Sequence, residues 1–226
     1  GFDLPLELHR TFTVGLGAQI DLDRIEAPYF QPDDGQSLFV GSGAYAQVAW
    51  DPTEHWAVRA ARRADVPPVS GDIALSYRGS IAYRGETFGV RVSGASAFRA
   101  PTYVEAGARF SDPTTGLVLL EGQPGLTGPR NDSAELALTL SPSAKFHGVA
   151  VVYYTRLRNV MIEDFANTVR RTFETDTHAR QLVGGELEGT YQPLDALAIS
   201  VGLGVIQFVK ADDEIATIAE PDQNAR

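Results

Sequence analysis

The sequence contains no cysteine and a single methionine among its 226 residues. It therefore has no disulfide and no thiol ligand, which fits an oxidising compartment, where a spare thiol is a liability. No apolar run approaches the roughly 18 residues that a membrane helix needs, so a chain that crosses a membrane must do so as strands. The net charge is -10 without any cluster of basic residues, which excludes a nucleic-acid partner.

Alternation of apolar and polar residues is the main pattern present. It runs from Asp72 to Arg84, turns at Gly85-Glu86-Thr87 and continues from Phe88 to Phe98. A period of two indicates a strand with one apolar and one polar face. Pro101 has no amide hydrogen and restrains the residue before it, so we expect the strand to end there and a long irregular segment to reach about Arg130.

The same pattern predicts an all-β, antiparallel fold of roughly nine strands. No segment shows convincing helical periodicity, and residues 1–7 are interpreted as the end of a turn. The predicted strands cover residues 8–20, 38–50, 56–66, 72–84, 88–98, 134–140, 146–162, 180–191 and 197–209.

Two regularities favour a transmembrane β-barrel over a soluble sandwich. Connections alternate between short and long, as the periplasmic turns and outer loops of bacterial barrels do, with Pro67-Pro68 as the exception. The short ones lie near Asp51, Gly85, Ser143 and Leu194, and the long ones near Asp23, Gly116, Phe165 and Asp213. Aromatic residues stand beside the short turns, as in an interfacial girdle: Trp50, Trp56, Tyr83, Phe88 and Tyr191.

Several motifs carry a family resemblance. Phe98-Arg99-Ala100-Pro101 resembles the Phe-Arg-Ala-Pro-type motif that ends a strand late in the barrel of TonB-dependent outer-membrane receptors. The segment 45–59 resembles the hairpin before that motif. The segment 125–136 resembles the family's Asn-Pro-x-Leu-x-Pro-Glu stretch, with its asparagine and glutamate replaced, and 183–189 resembles its Gly-Val-Glu-Leu-Glu strand. The order and spacing of these motifs cover most of the chain.

The resemblance implies that residues 1–226 form part of a larger antiparallel transmembrane β-barrel, with the plug domain and the terminal strands not present. It implies an outer-membrane receptor of a Gram-negative bacterium that takes up a scarce ligand, such as a ferric siderophore, haem or cobalamin, by TonB-coupled active transport. The implied partners are outer-membrane lipid, the small-molecule ligand and the TonB complex, which acts through the absent plug. Neither a cofactor nor enzymatic chemistry is implied.

Candidate ligand contacts follow from the positions of aromatic residues and arginines in the predicted outer loops. Such side chains suit an anionic, partly apolar chelate through stacking and charge-assisted hydrogen bonds. Packing within the loops is the alternative role for each of them. The candidates are Tyr29, Phe30, Tyr103, Arg109, Phe110, Arg170, Arg171 and Phe173.

The remaining polar residues have structural interpretations. Charges on the predicted inner face should pair with one another or with a plug: Arg59, Arg63, Arg78, Arg84, Arg91, Glu135, Glu186 and Glu188. Arg62 falls on the outward phase and marks either a bulge or a position above the bilayer. The glycines Gly15 and Gly17 predict a close approach of another backbone, such as that of a plug, or a bulge. The four histidines have no ligand spacing, so no metal site is expected.

Other functions stay open at this point. A plugless outer-membrane channel or adhesin would lack a plug and a coupling segment before Gly1. A soluble all-β binding module would fold in water without detergent. An outer-membrane enzyme would need a nucleophile with a histidine nearby, and no motif provides such a pair.

Overall fold

A computed structural model of the chain describes residues 1–9, 11–25, 38–70, 72–123, 125–164 and 170–210, and the side chains of all of these except 5–9 and 210. In chain order the elements are β1 (Phe2–His9), β2 (Phe12–Arg24), β3 (Leu38–Trp50), β4 (Trp56–Val66), β5 (Ala74–Arg84), β6 (Phe88–Phe98), α1 (Tyr103–Gly107), β7 (Arg109–Ser111), β8 (Val118–Glu121), β9 (Arg130–Ser143), β10 (Phe146–Arg158), β11 (Val160–Asp164), β12 (Arg171–Asp176), β13 (Arg180–Leu194) and β14 (Leu197–Lys210).

Ten strands form one large antiparallel sheet in the order β1-β2-β3-β4-β5-β6-β9-β10-β13-β14. Each strand therefore pairs with its neighbour along the chain, except where the segments after β6 and β10 intervene. In the described part of the chain β1 and β14 are the edges of this sheet and do not pair with each other. This arrangement confirms the predicted all-β antiparallel fold; the large sheet has one strand more than the roughly nine predicted, and four further strands lie outside it in segments where no strand, or only the end of one, was predicted.

The segments after β6 and β10 meet in a second, four-stranded sheet with the order β11-β12-β8-β7. We call it the loop sheet. Its strands β8 and β12 run parallel, whereas the other two pairs are antiparallel. All four strands lie at the end of the large sheet where the long connections are, because β7 and β8 follow β6 and β11 follows β10 directly.

Connections of the large sheet alternate along the chain as predicted. The turns at 51–55, 85–87, 144–145 and 195–196 are short and lie at one end. The connections 25–37, 67–73, 99–129 and 159–179 lie at the other. The Pro67-Pro68 connection thus belongs to the end that carries the long segments, and it is simply the shortest of them.

The large sheet has one apolar and one polar face, which we call the outward and inner faces. On β2, Leu16, Ile20 and Leu22 are 42%, 70% and 67% exposed on the outward face, while Gln19 and Asp21 lie on the inner face. The same alternation continues to β14, where Val201, Leu203 and Val205 are 61%, 67% and 70% exposed. So large an exposed apolar surface indicates contact with lipid or a partner rather than with water.

Aromatic residues gather on the outward face beside the short turns, as the sequence predicted. The Trp56 and Tyr83 rings meet edge to face at 5.2 Å, and the Tyr83 and Phe88 rings lie 5.4 Å apart. Trp50 and Tyr191 are 45% and 49% exposed on the same face. Such a girdle marks one membrane interface in bacterial barrels.

Inner-face glycines accommodate cross-strand side chains. A Cβ at Gly17 would overlap the ring of its partner Tyr45, and a Cβ at Gly184 would overlap that of its partner Tyr153. At Gly15, a Cβ would lie 2.7 Å from the side-chain amide nitrogen of Gln47. Within the described chain, side chains contact Gly15 and Gly17, and β2 and β3 pair there without a bulge; the approach of a plug stays a prediction.

The structure decides the open question about Arg62. It lies on the outward face of β4 and pairs with Ala46 and Tyr77 in ladders without a register shift. A bulge is therefore excluded at this position.

Two local expectations were wrong. Residues 2–9, interpreted mostly as a turn, form β1, which pairs with β2; the alternation of Phe2, Leu4, Leu6 and Leu8 with polar residues and Pro5 was a strand signal that this interpretation missed. Helix α1 forms in a segment without helical periodicity, because a capping box stabilises its single turn. Among the described residues, no helix has the length and hydropathy required to span a membrane.

Candidate functional site

The Phe98-Arg99-Ala100-Pro101 motif lies where β6 leaves the large sheet. The Arg99 guanidinium donates to both carboxylate oxygens of Glu105, at 2.9 and 2.8 Å, and contacts the Met161 sulfur at 3.4 Å. The amide of Arg99 donates to the carbonyl of Pro129 at 2.9 Å. Arg99 therefore holds together the two ends of the 99–129 segment and the start of β11.

Glu105 is the acceptor in this arrangement and also caps α1. Its carboxylate accepts from the amide of Thr102 at 2.7 Å, while the Thr102 hydroxyl accepts from the amide of Glu105 at 3.2 Å. The hydrogen bond from Arg99, aided by those from Thr102, lowers the pKa of Glu105 from 4.5 to about 2 against the opposing effect of burial.

The lowered pKa predicts acid-sensitive ordering of the 99–129 segment. A carboxylate with a depressed folded-state pKa stabilises the fold above its ordinary pKa and loses that contribution as the pH falls towards the folded value. We expect pepsin cleavage of the segment to rise as the pH falls from 4.5 to about 2, whereas Glu105→Gln should be cleaved rapidly throughout this window. Unheated gel mobility should show an intact barrel. Equal protection of both proteins would contradict the assigned role of Glu105.

Tyr103 connects α1 to strands β2 and β3 of the large sheet. Its hydroxyl donates to the Asp23 carboxylate at 2.6 Å, and its ring lies 4.9 Å from that of Phe39. Asp23 and Phe39 are paired residues of β2 and β3. Burial, followed by the hydrogen bond to Asp23, raises the pKa of Tyr103. The structure thus places this candidate ligand contact in the packing of the loop.

The loop sheet brings together three other candidate residues. Phe110 of β7 and Arg171 of β12 both pair with Leu120 of β8, so the three form one transverse row. Phe173 lies two residues after Arg171 and therefore on the same face. Arg171 is 59% exposed and lies 3.4 Å from Glu163. This face, which we call the aromatic-arginine face, combines the exposed Phe110 and Arg171 with the half-buried Phe173 and with Glu163, which pairs with Phe173 across the ladder.

The other candidates lie elsewhere. Arg109 pairs with Glu121 and so lies on the opposite face of the loop sheet. Arg170 forms an ion pair with Glu121. Tyr29 and Phe30 lie outside the described residues.

The inner face of the large sheet borders a cavity of about 900 Å³. Four of the eight charges predicted to pair there, Arg59, Arg63, Arg91 and Glu135, form ion pairs, whereas Arg78, Arg84, Glu186 and Glu188 form none with the described residues. Arg91 lies 2.6 Å from Glu135, Arg63 lies 2.6 Å from Asp65, and Arg59 at the rim lies 2.8 Å from Asp51. These pairs indicate a polar lumen rather than a catalytic group.

The three histidines with described side chains contact local partners. His55 lies 2.9 Å from the Arg84 carbonyl, His147 lies 2.9 Å from the Ser141 hydroxyl, and His178 lies 2.8 Å from Asp176. Within the described ranges, no three histidine or carboxylate groups converge as metal ligands do.

Sequence reasoning missed Asp23, Phe39 and Glu105, which position the loop. One signal was available, since Thr102 and Glu105 have the spacing of a capping box before a short helix. The contact of Tyr103 with Asp23 joins residues 80 positions apart and has no local signal.

Comparison with solved structures shows the same fold in three receptors and transporters. The siderophore receptor PirA from Pseudomonas aeruginosa aligns with 91% of this chain and 39% of its own, at a TM-score of 0.75 and 17% identity. The ferric enterobactin receptor PfeA from the same organism aligns with 91% of this chain and 34% of its own, at a TM-score of 0.70 and 16% identity. The FrpB iron transporter from Neisseria meningitidis aligns with 91% of this chain and 35% of its own, at a TM-score of 0.63 and 12% identity. The chain thus spans less than two fifths of each relative.

No curated protein sequence matches this chain significantly. The family model described as TonB dependent receptor-like, beta-barrel, matches residues 1–225. That match covers nearly the whole chain and agrees with the two-faced sheet, the aromatic girdle and the alternating connections. The chain therefore belongs to the family of TonB-dependent receptor-like β-barrels.

Proposed function

We propose that this chain supplies barrel wall and outer loops to an outer-membrane receptor that takes up a ferric siderophore or a similar anionic metal chelate by TonB-coupled active transport. The family membership and the siderophore and iron receptors among the structural neighbours support this function. Capture by the loops and release through the barrel need no covalent chemistry, so the proposal includes no catalytic residue.

The aromatic-arginine face is the observation that carries the choice of ligand. Phe110 is 36% exposed and shares this face with the exposed guanidinium of Arg171. A guanidinium forms strong charge-assisted hydrogen bonds with anionic oxygens, and aromatic rings stack on flat apolar groups. An iron chelate with anionic aromatic arms would satisfy both kinds of group.

TonB coupling belongs to the same proposal. In the full-length protein, a plug domain within the barrel would connect the loop site to the energy-coupling complex. Arg78 also borders the cavity on the inner face and forms no ion pair with any described residue. A plug surface with carboxylates would complement its positive charge.

The proposal predicts different effects for arginines on the two faces of the loop sheet. In the full-length protein, Arg171→Ala should weaken binding of a ferric tris-catecholate about tenfold, because a hydrogen bond to a charged group is lost. Phe173→Ala should weaken it less. Arg109→Ala removes the same charge from the opposite face and serves as the matched control. Equilibrium binding of a radioactively labelled ferric chelate, with the free chelate removed by filtration, measures the affinity.

Equal affinities of the Arg171→Ala protein and the unchanged protein would contradict this site, provided that both bind the chelate. If neither protein binds any ferric chelate, while transport of another solute depends on TonB, the assigned ligand class is wrong. Ligand passage without TonB would instead support the channel alternative.

A further inference from the structure

Arginines gather on the outward face of β9 and β10, close to the end that carries the long connections. Asp132 of β9 pairs with Arg156 of β10, and Arg130 pairs with Arg158 in the next position towards the loops. Arg130, Arg156 and Arg158 with Asp132 form what we call the arginine patch. It is basic, whereas the whole chain carries a net charge of -10.

Two of the arginines are already engaged within the fold. Arg158 forms an ion pair with Asp132, and Arg130 donates to the carbonyl of Leu75. Arg156 is exposed and has no ion pair with any residue that the structure describes. The patch therefore presents positive charge outward that the protein itself does not neutralise.

On the outward face, the arginine patch lies closer to the long connections than the apolar residues of β9 and β10 do. Val92, Leu136 and Val152 form a transverse apolar row nearer to the short turns. Arginine at the midplane of a bilayer costs about 2–4 kcal/mol, and the cost falls towards the interfaces. Three arginines on two neighbouring strands are therefore stable only at the level of lipid headgroups.

A depression lies directly below the patch on the same face. Gly79, Gly94 and Ala134 are neighbours in one transverse row and form its floor, while Tyr77 and Tyr154 stand at its sides. Asp132 closes the end next to the patch, and the volume is about 450 Å³. Small side chains on three adjacent strands leave room for a hydrocarbon chain where the surrounding surface is formed by larger residues.

We propose that the arginine patch and the depression together bind a phosphorylated glycolipid of the lipid A type from the outer leaflet. Phosphates contact Arg156 and the free donors of Arg130 and Arg158, and one acyl chain lies over Gly94 between the two tyrosines. The long connections mark the outer end of the strands, which selects the outer leaflet as the source. This inference rests on the outer-membrane location proposed above.

The test uses the delipidated full-length protein in detergent and native mass spectrometry with lipid A. Arg156→Gln should weaken retention of lipid A about tenfold, because one charge-assisted bond to phosphate is lost. Arg24→Gln is the matched control, since it removes an exposed outward arginine at the same end of the sheet, six strands away from Arg156. Gly94→Leu should also reduce retention. A Cβ at Gly94 meets only the Ser133 carbonyl at 3.5 Å, so the larger side chain enters the depression without disturbing the fold.

Dephosphorylated lipid A should bind as weakly to the unchanged protein as lipid A does to the Arg156→Gln variant. Equal retention of lipid A by the Arg156→Gln and Arg24→Gln proteins would overturn the inference, as would equal retention of phosphatidylglycerol and lipid A. Displacement of the lipid by a second copy of the protein would overturn it too. Binding of the ferric chelate, measured on the same preparations, reports separately on the proposed receptor function.

Discussion

The Val92→Arg substitution is expected to reduce the stability of the inserted protein by about 2–4 kcal/mol, because it places a charge among lipid-facing side chains near the bilayer midplane. Val92 is 56% exposed on the outward face and lies between Ile81 and Leu136 of the neighbouring strands. Denaturant unfolding of the full-length protein in liposomes, followed by tryptophan fluorescence and unheated gel mobility, measures the change.

The neighbouring residue supplies the matched control. Ser93 lies on the inner face and pairs with Glu135, so Ser93→Arg adds the same side chain beside a carboxylate in a polar cavity. We expect the Ser93→Arg protein to unfold within about 1 kcal/mol of the unchanged protein, because the added guanidinium enters a water-accessible polar cavity, where interactions between charges contribute little. A larger loss from Ser93→Arg than from Val92→Arg would reverse the assignment of the two faces.

The fold could be predicted largely because the periodicity of a strand is local. The alternation in 72–84 and 88–98 and the tight turn between them indicate both the hairpin and its two faces, and the structure places Ile81 and Val92 side by side as partners. The edge strand β1 carries the same local signal, which the interpretation of residues 1–7 as a turn missed. Phe2, Leu4, Leu6 and Leu8 alternate with Asp3, Pro5, Glu7 and His9, and a proline is tolerated in a strand at the edge of a sheet.

The candidate site could be predicted only as a set of residue types. The aromatic-arginine face depends on the parallel pairing of β12 with β8, between segments about fifty positions apart, and short loop strands have no distinctive periodicity. Nothing local distinguishes Arg171, which shares that face with Phe110, from Arg170, which forms an ion pair with Glu121. The pairing of β12 with β8, rather than the amino-acid composition of the loop, determines which arginine lies on the aromatic-arginine face.

The structure also assigns a physical role to the motif that carried the family resemblance. Arg99 is bound through its side chain to α1 and through its amide to Pro129, so the motif fixes the start of the loop against its end. The aromatic-arginine face is built by segments on both sides of this junction. Its geometry should therefore depend on residues that contact no ligand.

Gly128 provides the sharpest test of that dependence. A Cβ at Gly128 would overlap the carbonyl oxygen of Arg99 and would lie 3.6 Å from the Pro101 ring. Since the overlapped atom belongs to the backbone, no side-chain rotation can relieve the contact. We expect Gly128→Ala to destabilise the 99–129 segment by about 3 kcal/mol, at the upper end of overpacking effects, and Gly128→Val to do so further.

The measurable result is rapid tryptic cleavage at Arg109, together with loss of ferric chelate binding and an unchanged barrel mobility on unheated gels. Gly189→Ala is the matched control, because a Cβ there has no atom within 4 Å. If Arg109 is protected from trypsin equally in the Gly128→Ala protein and in the control, the backbone around Gly128 and Arg99 accommodates the added methyl group without destabilising the segment. In that case the loop sheet must be held by its own strand pairing and by the contact of Tyr103 with Asp23. Tyr103→Phe would then be the substitution that releases the loop.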